Sequence, residues 1–275
     1  MSWFEAIVLG IVQGLTEFLP ISSSAHVSIV GQLLFDGSDP GAAFTAVTQL
    51  GTETAVLVYF WRDIARIVSR WWLSLFRKVD EDDPDARVGW LVILGSVPIV
   101  VLGLLFQDAI DTGLRNLWIT VAMLAGVGLV LLAADHVGAR NTRTLDRLTW
   151  RDGLLLGLCQ AAALIPGVSR SGATISGGLF LGYDRPTATR YAFLLAVPAV
   201  FGSGLYKLKD IPGDPNVAWG PTILATVIAF GVGYAVIAWL IRYISTHSFR
   251  PFVWYRLGLA AVVAGLLLSG VLSPM

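Results

Sequence analysis

The chain has 275 residues, 55 % of them hydrophobic and only 14 % charged, and its mean hydropathy is +0.71. Soluble domains carry about a quarter charged residues, so a soluble globule and a disordered chain are both excluded. Nineteen basic residues balance nineteen acidic ones, and the single cysteine, Cys159, sits in an apolar run. That leaves no basic footprint for nucleic acid and no thiolate metal site. What remains is an all-α polytopic membrane protein.

The N-terminus lacks a basic n-region, Glu5 comes early and Pro20 cuts the first apolar run short, so no cleavable signal is expected. Residues 3–35 are apolar but broken by Pro20 and Ser22-Ser23-Ser24. The halves are too short for the roughly 20 residues a span needs. Apolar segments at 41–61, 88–107 and 115–137 follow, each long enough to cross. Residues 150–182 are broken in the same way, and spans at 185–206, 219–241 and 252–272 complete the chain. Trp61, Trp90, Trp118, Trp219, Trp239 and Trp254 lie at or near span ends, as interfacial belts require.

The two broken stretches resemble each other. Trp3, Glu5, Gly10 and Gln13 match Trp150, Asp152, Gly157 and Gln160 at an offset of 147; Pro20 and Ser23 match Pro166 and Ser169 at 146. Asp39-Pro40 and Asp184-Arg185-Pro186 follow the two copies. Each stretch reads as a re-entrant helical hairpin, since non-helical backbone at membrane depth is tolerated only where protein buries it. One membrane domain, 1–275, then holds two repeats, about 1–137 and 150–275. Each repeat is a hairpin plus three spans, and three is odd, so the second copy is inverted.

Basic residues set the orientation. On one side fall Arg62, Arg66, Arg70, Arg77, Lys78, Arg87, Arg140, Arg143, Arg147, Arg151, Arg185, Arg190, Arg242, Arg250 and Arg256; on the other, Arg115, Lys207 and Lys209. The richer side is expected to be cytoplasmic. Both termini then face outward, in a multi-pass protein of a bacterial plasma membrane.

Four ionisable residues are expected at membrane depth: Glu17, His26, Glu53 and Arg170. Each costs roughly 2.5–3.5 kcal/mol unpaired at a helix centre, so each is a candidate functional group. Hairpin 1 carries Gln13, Glu17, Ser22, Ser23, Ser24 and His26; hairpin 2 carries Ser169, Arg170, Ser171 and Thr174. Serine-capped helix N-termini bind anions, and a guanidinium suits phosphate. The combination describes an oxyanion site. A diphosphate brings more negative charge than one Arg balances, so a divalent cation is expected on Glu17 and Gln13. Ser23 and His26, three apart, are a hydroxyl nucleophile and an acid/base within reach of each other.

Gln13-x-x-x-Glu17 with Ser22-Ser23-Ser24-Ala25-His26, and Pro166-Gly-Val-Ser-Arg-Ser-Gly-Ala-Thr174, resemble the two signature motifs of the bacterial undecaprenyl-diphosphate phosphatase family, the integral-membrane, bacitracin-resistance type. Gln49-Leu-Gly, Tyr191-Ala-Phe-Leu-Leu and Pro251-Phe-Val-Trp-Tyr-Arg256 extend the likeness nearly end to end. The resemblance implies cation-dependent (Mg²⁺ or Ca²⁺) removal of one phosphate from undecaprenyl diphosphate, recycling the lipid carrier for peptidoglycan. It implies Glu17, Ser23, His26 and Arg170 as catalytic residues, and Ser169, Ser171 and Thr174 at phosphate-binding positions; Ser22 and Ser24, in the serine cluster of hairpin 1, are expected to bind substrate as well. Gln13 stands where many members have Glu, which weakens a two-carboxylate metal site. The nucleophile is left between Ser23, His26 and water activated by Glu17, with Ser23 preferred. The partners are the polyprenyl lipid and the bilayer, not nucleic acid, and a homodimer is compatible with the pattern.

Plainer readings stand beside these. A serine cluster caps helices, a buried histidine is commonly structural, and Glu53 reads first as an interhelical hydrogen-bonding group. Gln160 reads as satisfying broken backbone near the second turn. Gly10/Gly14, Gly153/Gly157 and Gly178/Gly182 read as helix-packing pairs, and Asp80–Asp83 as a solvated loop. The competing function is a transporter or flippase of an anionic lipid or solute, which inverted repeats also suit, followed by a non-catalytic lipid-binding scaffold. The Ser, His, Glu and Arg set favours catalysis, because transport needs no nucleophile.

Overall fold

Helices cross the apolar segments because a helix satisfies every backbone polar group internally. In the computed structural model, residues 1–35, 41–111, 113–207 and 218–274 are described. Among them the architecture is all-helical, with no named strand. Lys209 and Asp39-Pro40 lie outside the described residues.

Among the described residues, five helices are long and apolar enough to cross a membrane. They are α5 (Pro84–Leu105), α7 (Leu117–Val137), α10 (Arg185–Lys207), α11 (Trp219–Ile244) and α12 (Arg250–Leu268). Helix α3 (Gly41–Tyr59), the first expected span, is not among them; Gln49 and Glu53 dilute its apolar character. Local chemistry sets the ends. Asp83 caps α5 with Pro84 at its first position, and this starts the helix four residues before the apolar run. Asn116 caps α7 through the Trp118 N–H at 2.8 Å.

One element was not foreseen. Trp61–Leu75 forms α4, a strongly amphipathic helix between the first two expected spans. Arg62, Arg66 and Arg70 recur every four residues on one face, and Ile64, Ile67, Val68 and Trp71 recur on another. Arg70 Nε donates to Asp83 at 2.8 Å, so part of the acidic run is a helix cap clamped by α4.

The short elements come in two matching sets. Helix α1 (Trp3–Thr16) opens with a capping box of Ser2 and Glu5, and α8 (Trp150–Ala161) opens with one of Thr149 and Asp152. Each runs into a turn and then a second short helix, α2 (Ser23–Leu34) or α9 (Arg170–Phe180). Helix α1 packs on α11 much as α8 packs on α5. Glycine permits both approaches: a Cβ on Gly10 would lie 2.9 Å from Ala225 Cα, and one on Gly157 would lie 2.8 Å from Gly95 Cα. Gly182, by contrast, is a turn residue at φ +91° rather than a packing glycine.

Candidate active site

Each turn ends in a serine held in a conformation that residues other than glycine seldom adopt. Ser22 caps α2 at φ 73° and Ser169 caps α9 at φ 70°, both left-handed and neither glycine. Ser22 Oγ lies 3.2 Å from Ser24 Oγ, and Ser169 Oγ lies 3.1 Å from Ser171 Oγ. The structural equivalence of the turns therefore keeps the 147 offset through the caps. Ser22 answers to Ser169, and Ser23 answers to Arg170, one residue off the motif-based match.

These matching turns present different chemistry at their centres. Glu17, the C-cap of α1, is 7 % exposed. Its Oε2 accepts from Ser23 Oγ at 2.6 Å and from Gln13 Nε2 at 2.7 Å. Its Oε1 accepts from Arg170 Nη2 at 2.6 Å, across 153 residues of chain. The expected partners Glu17, Ser23 and Arg170 thus meet, with Gln13 behind them. Ser171 Oγ donates to the Leu19 carbonyl at 3.1 Å and so ties the second turn to the first. Thr174 is buried and its hydroxyl has no partner among the described residues. Gln160 is likewise buried with neither amide atom partnered, so it does not satisfy the broken backbone nearby.

His26 stands apart from Ser23. Its Nδ1 lies 2.7 Å from the Ser22 carbonyl and its Nε2 lies 2.8 Å from Tyr255 Oη, with the two rings stacked. A carbonyl only accepts, so Nδ1 carries the proton and Nε2 accepts from Tyr255. The hydroxyl of Ser23 is directed to Glu17 instead.

Glu53, expected as an interhelical hydrogen-bonding group, makes that bond within the site, whereas Arg256 was expected on the surface. Glu53 is fully buried, and its Oε1 accepts from the same Arg170 nitrogen at 2.5 Å. Arg256, counted among the cytoplasmic surface charges, is also fully buried. Its guanidinium donates to the carbonyls of Pro20 at 3.0 Å, Gly167 at 2.8 Å and Val168 at 3.2 Å, and to Leu124 and Met123 of α7 at 3.0 Å each. It is a pin between both turns, its charge solvated by carbonyl dipoles. The available signal was its place in the Pro251–Arg256 motif.

A cavity of about 420 Å³ opens beside these groups. Glu17, Ser22, Ser23, Ser24, Ser169 and Arg170 line it together with apolar side chains of α5 and α10, among them Ile99, Val100, Leu104, Ala199 and Val200. It extends to Gln107, the first residue of the short helix α6 (Gln107–Asp111), and to Lys207, the last residue of α10. Ser171, Thr174, His26, Gln13 and Glu53 do not line it. Polar groups at two helix N-termini and an apolar channel fit a ligand with an anionic head and a hydrocarbon tail. Among the described residues, no group of three or more His, Cys, Asp or Glu side chains is arranged to hold a metal ion.

Fold and site together define a multi-pass helical membrane protein with a buried carboxylate–hydroxyl–guanidinium centre. The family model described as bacitracin resistance protein BacA matches residues 6–262. The chain belongs to this family. It is 62 % identical to the undecaprenyl-diphosphatase of Micrococcus luteus over 277 residues, covering 99 % of this chain and 100 % of that one. It is 60 % identical to that of Pseudarthrobacter chlorophenolicus over 278 residues, covering 99 % and 100 %. Against undecaprenyl-diphosphatase 2 of Streptomyces coelicolor it is 58 % identical over 286 residues, covering 100 % and 98 %.

Proposed function

We propose that the chain hydrolyses undecaprenyl diphosphate to undecaprenyl phosphate and inorganic phosphate, recycling the lipid carrier of peptidoglycan synthesis. The carrying observation is the contact chain Ser23–Glu17–Arg170 on the wall of one cavity. Full-length relatives named for this activity support the substrate.

The mechanism follows from the contacts. Arg170, the hydroxyls of Ser22, Ser24 and Ser169, and the free N–H groups of α2 and α9 hold the terminal phosphoryl group. Glu17 takes the Ser23 proton as Oγ attacks the terminal phosphorus. The Oγ–P bond forms, the P–O bond to the bridging oxygen breaks, and undecaprenyl phosphate leaves. Water then attacks the phosphoseryl phosphorus, the Oγ–P bond breaks, Glu17 returns its proton to Ser23 Oγ, and inorganic phosphate departs as dihydrogen phosphate. His26, held by Tyr255, keeps the first turn in register beside the nucleophile.

A divalent cation, Mg²⁺ or Ca²⁺, fits this donor set. Glu17 would be its carboxylate ligand on the cavity wall, and Gln13 Oε1, a hard oxygen buried behind that wall without a partner among the described residues, would be the second. When bound, the cation supplies charge neutralisation of the phosphate oxygens.

The reading extends to topology. The matched capping boxes, turns and helix contacts support two inverted repeats, each with a re-entrant hairpin and three crossings. Removing Arg256 from the basic tally leaves its asymmetry in place, so both termini face outward in a bacterial inner membrane.

Purified protein in detergent should release phosphate from a polyprenyl diphosphate, lose that activity to a chelator, and regain it with added Mg²⁺ or Ca²⁺. No release with either cation present would remove the phosphatase reading.

A further inference from the structure

We propose that Glu53 is the positioning residue that aims Arg170 at the phosphate, the one carboxylate that stays on that guanidinium throughout the reaction. The inference rests on the reading that Arg170 grips phosphate. Arg170 Nη2 donates to Glu17 Oε1 at 2.6 Å and to Glu53 Oε1 at 2.5 Å. Those two carboxylates are not equivalent. Glu17 lines the cavity and shares its other oxygen with Ser23 and Gln13. Glu53 does not line the cavity, is fully buried on α3, and carries no second hydrogen bond: Oε2 has no partner among the described residues.

A phosphate entering the cavity therefore meets Glu17 and not Glu53. Like charges repel, and Glu17 must also receive the Ser23 proton, so the Glu17–Arg170 contact yields as substrate binds. Among the described residues, the guanidinium then keeps a 3.5 Å contact from Nη1 to the Ala196 carbonyl and its ion pair with Glu53. A planar fork delivers two donors to phosphate only if its plane is fixed from behind. Glu53 sits where it can fix it. Because Gln13 is neutral, Glu53 is also the second negative charge in contact with the Glu17–Arg170 pair.

Glu53→Gln keeps the shape and an acceptor but removes the charge. It should lower kcat by about 10- to 100-fold, since misplacing a group by about 1 Å can cost about 100-fold. KM should stay level or fall, because the anionic substrate meets one negative charge fewer. Glu53→Asp, charged but shorter, should fall between Glu53→Gln and the parent. Added to Arg170→Lys, Glu53→Gln should change kcat little further, since residues acting as one unit are not additive.

Phosphate release from a polyprenyl diphosphate reads all four variants, with melting in detergent as the folding check. A merely structural Glu53 would lower the yield of folded protein and leave the kcat of the survivors intact. A kcat for Glu53→Gln within twofold of the parent, a rise in KM at unchanged kcat, or effects that multiply with Arg170→Lys would overturn the proposal. If Glu53→Gln yields no folded protein, the same split measured on Glu53→Asp decides. Should Arg170→Lys keep the full rate, the phosphate-grip reading falls and takes this one with it. Should Arg170→Lys fail while Glu53→Gln works normally, only the positioning role falls.

Discussion

Arg256→Met removes the pin between the turns while keeping a long apolar stem. The side chain is fully buried, and its guanidinium satisfies the carbonyls of Pro20, Gly167 and Val168. Those three lie in the turns, where no helix supplies a donor. A buried acceptor left unmade costs about 1–3 kcal/mol. Three of them, partly relaxed and partly offset by removing a desolvated charge, give a loss on the order of 3 kcal/mol. At about 2–4 °C per kcal/mol for a chain of this size class, the melting point should fall by roughly 10 °C. Thermal unfolding in detergent, followed by the fraction surviving size-exclusion chromatography, measures the shift. Arg256→Lys, which keeps the charge and three donors, should recover part of it. Activity at a temperature where both proteins are folded should also drop, because the turns that carry Ser23 and Arg170 are no longer tied together. A melting point within about 2 °C of the parent would refute the assignment of Arg256 as the link.

Other expectations follow from single contacts. Ser23→Ala should fold normally, since Ser23 is only half buried, and should lose about 1,000-fold or more in kcat as a nucleophile variant; activity within a few-fold of the parent would transfer the attack to water or His26. Gly157→Ala drives a Cβ to 2.8 Å from Gly95 Cα and should cost about 1–3 kcal/mol of stability, whereas Gly126→Ala, with nothing within 4 Å, should melt like the parent. Burial pushes the Asp83 carboxyl up, but hydrogen bonds from Arg70 and the Ala86 N–H outweigh it and hold the group below the usual range. A depressed folded value means stabilisation present at neutral pH and lost as pH falls through that value. Asp83→Ala should therefore cost about 0.5–2 kcal/mol at pH 7, as lost caps do, with the gap to the parent narrowing on acidification in pH-dependent melting curves.

How much could be read from the residues alone depended on range. Span ends follow from runs of apolar residues, and α7, α10, α11 and α12 begin and end within a few residues of expectation. The two turns were legible because Pro and Ser clusters broke the runs twice in register. Helix α4 lies outside the apolar runs because Arg62, Arg66 and Arg70 keep its mean hydropathy low, although their spacing of four describes a helical face. Glu53 reads as an interhelical hydrogen-bonding group at membrane depth, and it is one, but its partner Arg170 is 117 residues away and no local pattern points to it. Arg256 was harder still. Its ligands are backbone carbonyls up to 236 residues distant, and a carbonyl leaves no trace in side-chain sequence. The Ser23–His26 pairing failed for a local reason: the first turn of α2 turns the imidazole to the Ser22 carbonyl and leaves the hydroxyl facing Glu17.

The two cap serines set folding against chemistry. The chain spends 29 glycines, yet at Ser22 and Ser169, where the backbone most favours glycine, it carries a side chain instead. Each non-glycine residue held there costs on the order of 1–2 kcal/mol. Glycine at either position would relax the turn and remove a hydroxyl from the cavity wall in the same stroke. A screen for thermostable variants would therefore be drawn to these two sites, and what it found there would be a sturdier protein with a poorer grip on its substrate.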